Sequence, residues 1–373
     1  MVVPITSTSQ ETIQSEVNFM SDRARIALSI STRSNGTAPT LATYRGFMLG
    51  FEALAADRDL GVPLDWVLLD DHGDTRQSAL LAETVVADPR FVGVVGPMGS
   101  SEAFANAPIF SAGGLLQVSP CASHPDLCRK GYQTFHRLVA NEETQGGALA
   151  RLAINQLQAR KVAVVHDSDA FGVSVADNFC SAFESIGGSV STRVSISKTA
   201  TEFENLAQEV AASDPETVFF GVHATEGLLV SAAIRATGCS VPFLGTDGLK
   251  TSFFLGGGDP GQEAVHTHTG ADFRRLESAR SFRERYVAAY PEDSTYSPEA
   301  YDSVMMIGEA LKQAGSVSRP QVLEAFADLT PYQGITGTVS FDEVGERVDA
   351  PVSWYRVARQ DGERVMNYQG VVV

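Results

Sequence analysis

Apolar residues in this chain fall into two alternating patterns. Short apolar runs, ARIALSIS from Ala24, LDWVLLDD from Leu64, FVGVVG from Phe91 and LLQVSP from Leu115, are separated by stretches with helical spacing around Tyr44 to Ala55, Ser78 to Val86 and Phe104 to Ile109. The runs predict buried strands and the intervening stretches amphipathic helices, so the series reads as βαβ units on a parallel sheet. A second series starts at Lys161 with KVAVVHD and continues through a helix to Ile186, VSTRVSI, a helix around Phe203 to Val210, TVFFGV, a helix around Leu228 to Ala236 and PFLGTD. The fold class is therefore α/β with two Rossmann-like lobes. Open parallel sheets bind ligands at the carboxyl ends of their strands, which places a ligand between the two sets of loops.

After about Gly270 the pattern changes. Helical spacing over Phe273 to Tyr290, Pro298 to Ala314 and Pro320 to Leu329 gives way to alternation in TGTVSFD and SWYRVARQDGERVMNYQG. Within the last segment Asp361-Gly362 is a strong hairpin signal.

Size and charge narrow the partners. A chain of 373 residues exceeds the usual single core. The formal net charge of -17, with no basic run, disfavours nucleic acid and anionic membrane surfaces. No apolar stretch approaches the roughly 20 residues that span a bilayer. Residues 1 to 23 are polar and read as a disordered tether. Cys121 and Cys128 flank a short loop that a disulfide would stiffen, and the sequence leaves that bridge open, whereas Cys180 and Cys239 read as buried free thiols.

Candidate chemistry concentrates between Val94 and Arg137, where two strand-like runs stop in loops of small and hydroxyl residues, GPMGSS and VSPCAS. Backbone N–H groups at the start of the following helix, with Ser100 and Ser101, suit a carboxylate. Catalytic constellations are missing: the chain has no GxGxxG, no phosphate loop ending in Lys-Ser or Lys-Thr and no GxSxG elbow. His266 and His268 in VHTHTG read as a surface or hinge strand, and Asp70, Asp71 and Asp74 as a helix-capping cluster. Neither an enzyme, a metal nor a cofactor is expected.

The order of LDDHGDT, GVVGPMGSS, APIFSAGGLLQVSP, RKGYQTFHR, QGG, KVAVVHDSDAFG, ESIGG, DPETVFFGVHATE and PFLGTDG resembles the type I periplasmic-binding-protein family, in its branched-chain amino-acid-binding branch. The resemblance runs over nearly the whole chain from about Arg25. It implies two lobes joined by a three-strand hinge, with passages near Ala140, Thr269 and Gly337, so that 24 to 139 plus 270 to 337 form lobe 1 and 140 to 269 plus 338 to 373 form lobe 2.

It implies further an extracytoplasmic solute-binding protein of an ABC importer, monomeric, whose partners are a small amino acid or related carboxylate and a membrane permease. The alternative is a sensing receptor module of the same fold coupled to a signalling partner. Localisation would be periplasmic or tethered outside the membrane, with the export or anchor segment removed. The family's ligand positions fall on Ser100, Cys121 (by its backbone), Ala122 and Ser123 for the carboxylate side. Phe171, His223 and Asp247 fall on the other side, with Asp247 holding an ammonium, and Tyr296 falls on an aromatic contact to the ligand's side chain. Phe171 lacks the hydroxyl often found there, His223 brings a titrating ring, and Asp247 is shorter than the usual Glu.

Overall fold

The computed structural model describes residues 23–32, 37–197, 203–257, 264–290 and 295–372; the tether expected before them lies outside the described residues. Two sheets carry the architecture. The first has the order β2-β1-β3-β4-β5, built from β1 (Ala24–Ile30), β2 (Leu64–Asp70), β3 (Phe91–Val95), β4 (Leu116–Ser119) and β5 (Phe135–Arg137). All its neighbours are parallel. Such strands are covered on both faces, which is why they read as continuous apolar runs instead of alternating ones.

The second sheet uses β6 (Lys161–Asp167), β7 (Ser189–Ile196), β8 (Thr217–Gly221), β9 (Phe243–Gly245), β10 (Val265–His268), β13 (Ser353–Gln360) and β14 (Glu363–Val371), in the order β14-β13-β10-β9-β8-β6-β7. Strands β13 and β14 join as the expected hairpin, Gln360 opposite Glu363. Its two turn residues, Asp361 and Gly362, have φ of 53° and 87°, a left-handed pair that Asp-Gly accommodates at low cost.

The helix Ser297–Ala314 returns to the first sheet. Its Val304, Ile307 and Leu311 are fully buried with Ile26, Leu28, Val95 and Val118. In the second sheet Phe179, Phe183 and Phe219 fill one face, Phe179 stacking on Phe219 at 4.2 Å. Each such ring contributes about 1.5–3 kcal/mol by burial.

The chain passes between the sheets beside itself. At the first two passages the Ala140 N–H donates to the Thr269 carbonyl at 3.0 Å. The third passage differs from the expectation of Gly337. The alternation in TGTVSFD forms not a strand of the second sheet but β12 (Gly337–Val339), paired with β11 (Tyr332–Gly334) in a two-stranded ribbon. Val339 is buried in the first core, and the Asp302 carboxylate receives the backbone N–H groups of Ile335 and Thr336. Arg347 still donates to the Leu138 carbonyl at 2.8 Å. The chain therefore leaves the first sheet only after Arg347.

Among the cysteines only the burial of Cys180 and Cys239 departs from expectation. All four are free: Cys121 and Cys128 are unbridged, and Cys180 and Cys239 are partly exposed, not fully buried.

Candidate functional site

The carboxyl ends of the two sheets face one cavity. Strand β4 ends at Ser119, whose hydroxyl donates to the Pro97 carbonyl at 2.9 Å and receives the Ala122 N–H at 2.9 Å, tying the two Ser-rich loops together. The helix Ser100–Ala112 begins after Gly99, which supplies no side-chain cap, so its first N–H groups lack the usual side-chain acceptor. Ser100 Oγ accepts the His124 N–H at 3.2 Å and keeps its own hydrogen for another acceptor.

Arg137, the last residue of RKGYQTFHR, shapes the second loop from behind. Fully buried, it pairs in a fork with the Glu346 carboxylate and donates to the carbonyls of His124 at 2.7 Å and Ala122 at 3.5 Å. These bonds consume carbonyls that the bent loop leaves unpaired.

Seven of the eight expected positions line the cavity: Ser100, Cys121, Ser123, Phe171, His223, Asp247 and Tyr296. Ala122 does not. It is 1% exposed and packs with Ala103, Leu127 and Phe135, because the turn that aims its neighbours into the cleft aims its methyl into the core.

Ser123 differs from the expectation of a free donor. Its hydroxyl is 3.0 Å from Glu142 Oε1. Burial pushes the Glu142 carboxyl up to about 8, against the pull of the Ser174 and Ser123 hydroxyls and the Arg137 charge, with the Asp247 charge adding to the rise. Near neutral pH Glu142 is then largely protonated and can itself donate to Ser123, which releases the serine hydrogen toward the cleft.

Asp247 opens the turn Asp247–Leu249 after β9 and is 7% exposed. Its carboxylate receives the Tyr296 hydroxyl and the Gln145 amide. Tyr296, with φ of 65°, precedes the helix Ser297–Ala314. Burial and the Asp247 charge hold its phenol well above the usual range, so it remains a donor. Burial, with the Asp247 charge second, likewise raises the Cys121 thiol and keeps it protonated.

On the far wall Phe171 stacks on His223 with ring centres 5.4 Å apart, and His223 Nε2 lies 3.3 Å from Asp169 Oδ2. Asp167, Asp169 and His223 each offer one ligand atom within 4.8 Å of the others, close enough that the three could share a cation. The sequence, in which VHTHTG reads as a surface or hinge strand and no metal is expected, does not show this group because its members come from two separate strand ends. His266 and His268 are instead buried rather than at the surface, His266 against Phe254 and His268 against Tyr296. Asp74 caps the helix Thr75–Ala87 as expected.

Glu142 and Gln145 were missed as site residues, although QGG was visible as a motif. Their bearing on the cleft depends on how the helix Glu142–Gln156 docks, which no local spacing reveals.

The sequence pattern of periplasmic binding proteins matches residues 25–363. The chain belongs to the periplasmic binding protein family. Within this family it is similar to an amino acid binding protein of Pseudomonas aeruginosa, 26% identical over 304 residues covering 81% of this chain and 80% of that protein. A second relative is a Leu/Ile/Val-binding protein homolog of Brucella melitensis, 28% identical over 280 residues, 74% of this chain and 75% of that one. The leucine binding protein LivK of Thermotoga maritima shares the fold, with a TM-score of 0.85 at 22% identity over 93% of this chain and 98% of that one. The type I periplasmic-binding-protein architecture of two lobes built on largely parallel sheets is thus shared over 93% of the chain.

Proposed function

We propose that this member of the family is an extracytoplasmic solute-binding protein that holds a small α-amino acid between its two lobes and presents it to an ABC permease. Binding, without turnover, is the activity. The observation that carries this reading is the convergence across one cavity of Ser100 and Ser123 from the first sheet on Asp247 from the second. The start of the helix Ser100–Ala112 and the two hydroxyls suit an α-carboxylate. Asp247 retains acceptor capacity for an α-ammonium beyond the two protein donors it already has. The names of the relatives, which bind amino acids, agree with this chemistry.

Ligand contacts divided between two sheets favour the closed arrangement, because both sets are complete only when the cleft is shut. We take residues 24 to 139 and 270 to 347 as one moving body and 140 to 269 and 348 to 372 as the other. His223 and Phe171 close over the ligand from the second.

The test is calorimetric titration of ligand-stripped protein with the common α-amino acids. At least one should bind, and Asp247→Ala should weaken it by about ten- to a hundredfold, the loss of one charge-assisted hydrogen-bond partner. Unchanged affinity in Asp247→Ala and in Ser123→Ala would show that the ligand sits elsewhere.

A further inference from the structure

The cleft is electrically lopsided. Asp71, Glu102, Asp169 and Asp247 all line it, and among the described residues no Lys or Arg does. Only Asp247 is used by the α-amino-acid reading above. Of the other three, Asp71 and Asp169 lie toward the opposite end, and Glu102, on the Ser100 loop, acts by its charge on Asp71. Along the first sheet the lining loops follow β4 (Cys121, Ser123), then β3 (Ser100, Glu102), then β1 (Ser31), then β2 (Asp71). Along the second they follow β9 (Asp247), β8 (His223) and β6 (Asp169). Asp71 and Asp169 thus lie at the opposite limit of one track from Ser123 and Asp247, with Ser100 and Glu102 between.

Asp71 shows that the acidic end is built for something. Of the aspartates in LDDHGDT, Asp70 accepts from the Thr32 and His72 N–H groups and Asp74 from those of Arg76 and Gln77. Asp71 is 1% exposed, its Oδ1 accepts from Gly73, and among the described residues no donor reaches its Oδ2 in hydrogen-bond geometry. The nearby Ser78 hydroxyl favours its charge, yet burial and the facing Glu102 carboxylate raise Asp71 to about 6. Glu102 folds back over the start of its own helix, where a side chain at Gly99 would collide with its Oε2. A buried carboxylate oxygen without a donor, beside a second carboxylate, is costly unless a cation or strong donor enters.

Length decides what can reach it. Strand β2 stands two places beyond β3, so at about 4.8 Å per strand the Asp71 loop is about 10 Å from the Ser100 loop. A side chain of four methylenes carries its terminal nitrogen about 6 Å from Cα, and a hydrogen bond adds about 2.9 Å. A leucine side chain stops well short.

We propose that the ligand is an α-amino acid whose side chain ends in a cation, received by Asp71 and Glu102 of the first sheet with Asp169 opposite. This rests on the amino-acid reading of the cleft and names its substrate class. Asp247 and the serines take the α-groups, and the acidic end takes the ammonium or guanidinium.

The experiment is calorimetry of the ligand-stripped protein with L-lysine, L-arginine, L-leucine and L-norleucine, the last being close to lysine without its terminal ammonium. Lysine or arginine should bind at least tenfold more tightly than norleucine. Because Asp71 is buried, the variant is Glu102→Gln on the cleft wall, and it should collapse the lysine-to-norleucine ratio by about tenfold. Norleucine or leucine binding as tightly as lysine, or a ratio unmoved in Glu102→Gln, overturns the proposal. If α-amino acids bind through Asp247 without preference for a cation, only this inference fails. If no amino acid binds at all, the amino-acid reading fails and takes this one with it.

Discussion

Glu142 shows how one buried proton can govern a binding loop. Its carboxyl faces Ser123 and Ser174, feels the positive Arg137 and the negative Asp247, and is raised by burial to about 8. In the unfolded chain the same group ionises near 4.5. Between these values the folded state holds a proton that the unfolded state has released, so stability falls as pH rises from about 4.5 through 8, and the full contribution exists only at the acid end. Binding follows the same direction. Above about pH 8 an ionised Glu142 captures the Ser123 hydrogen and sets a negative charge beside the site assigned to the ligand carboxylate. Affinity for the bound amino acid should therefore drop several-fold, about threefold or more, between pH 7 and 9. Glu142→Gln, which keeps a donor for Ser123 and cannot ionise, should flatten that part of the profile. Parallel profiles in the two proteins would mean that Ser123 does not depend on the proton of Glu142.

The loop Cys121 to Pro125 is held by an element distant in sequence. Arg137 and Glu346 pair across 209 positions, and Arg137 also donates to the carbonyls of Ala122, His124 and Pro125. Arg137→Ala should destabilise the protein by about 3–5 kcal/mol in urea unfolding, since Glu346 and the carbonyls lose their partner in a buried setting, and ligand affinity should fall with it because the loop carrying Ser123 loses its brace. Destabilisation without loss of affinity would separate the brace from the site. The same elements show what a sequence reading can reach. Strands such as Phe91–Val95 and the Asp361-Gly362 hairpin are legible because their patterns are local. Seven lining residues are legible because strand ends and family order fix them. The partners of those residues are not. Gln145 on Asp247, Glu142 on Ser123 and the donor-free oxygen of Asp71 depend on which way a side chain turns after distant segments dock. The third passage was misplaced for a related reason: alternation in TGTVSFD marks a strand but not the sheet it joins, and Asp302 with Val339 keeps it at the first.

At the scale of the whole molecule the question is what holds two lobes together when three thin passages are their only covalent links. Among the bonds that cross between them, the Ser123 hydroxyl meets Glu142, Arg129 pairs with Glu143, and the Tyr296 hydroxyl, at the head of a helix packed on the first sheet, donates to Asp247 of the second. Gln145 also donates to Asp247 and to Thr267 at 3.1 Å, but Gln145, Asp247 and Thr267 all lie on the second-lobe side of the passages and move together. Removing the Tyr296 hydroxyl therefore deletes an inter-lobe bond while leaving Asp247 with an amide donor. A neutral-to-charged hydrogen bond of this kind contributes about 1.5–3 kcal/mol, enough to move a two-state opening equilibrium by an order of magnitude. In Tyr296→Phe the ligand-free protein should populate the open state more and show a larger radius of gyration by small-angle scattering, whereas the saturated protein should match the parent, because the ligand then supplies the contacts that shut the cleft. Apparent affinity should weaken by up to about tenfold, the cost of drawing from a less populated closed state. A ligand-free radius equal to the parent's would place the closing energy in the passages and in the other crossing pairs, Ser123 with Glu142 and Arg129 with Glu143, and the bond to Asp247 would then only orient its carboxylate for the ammonium.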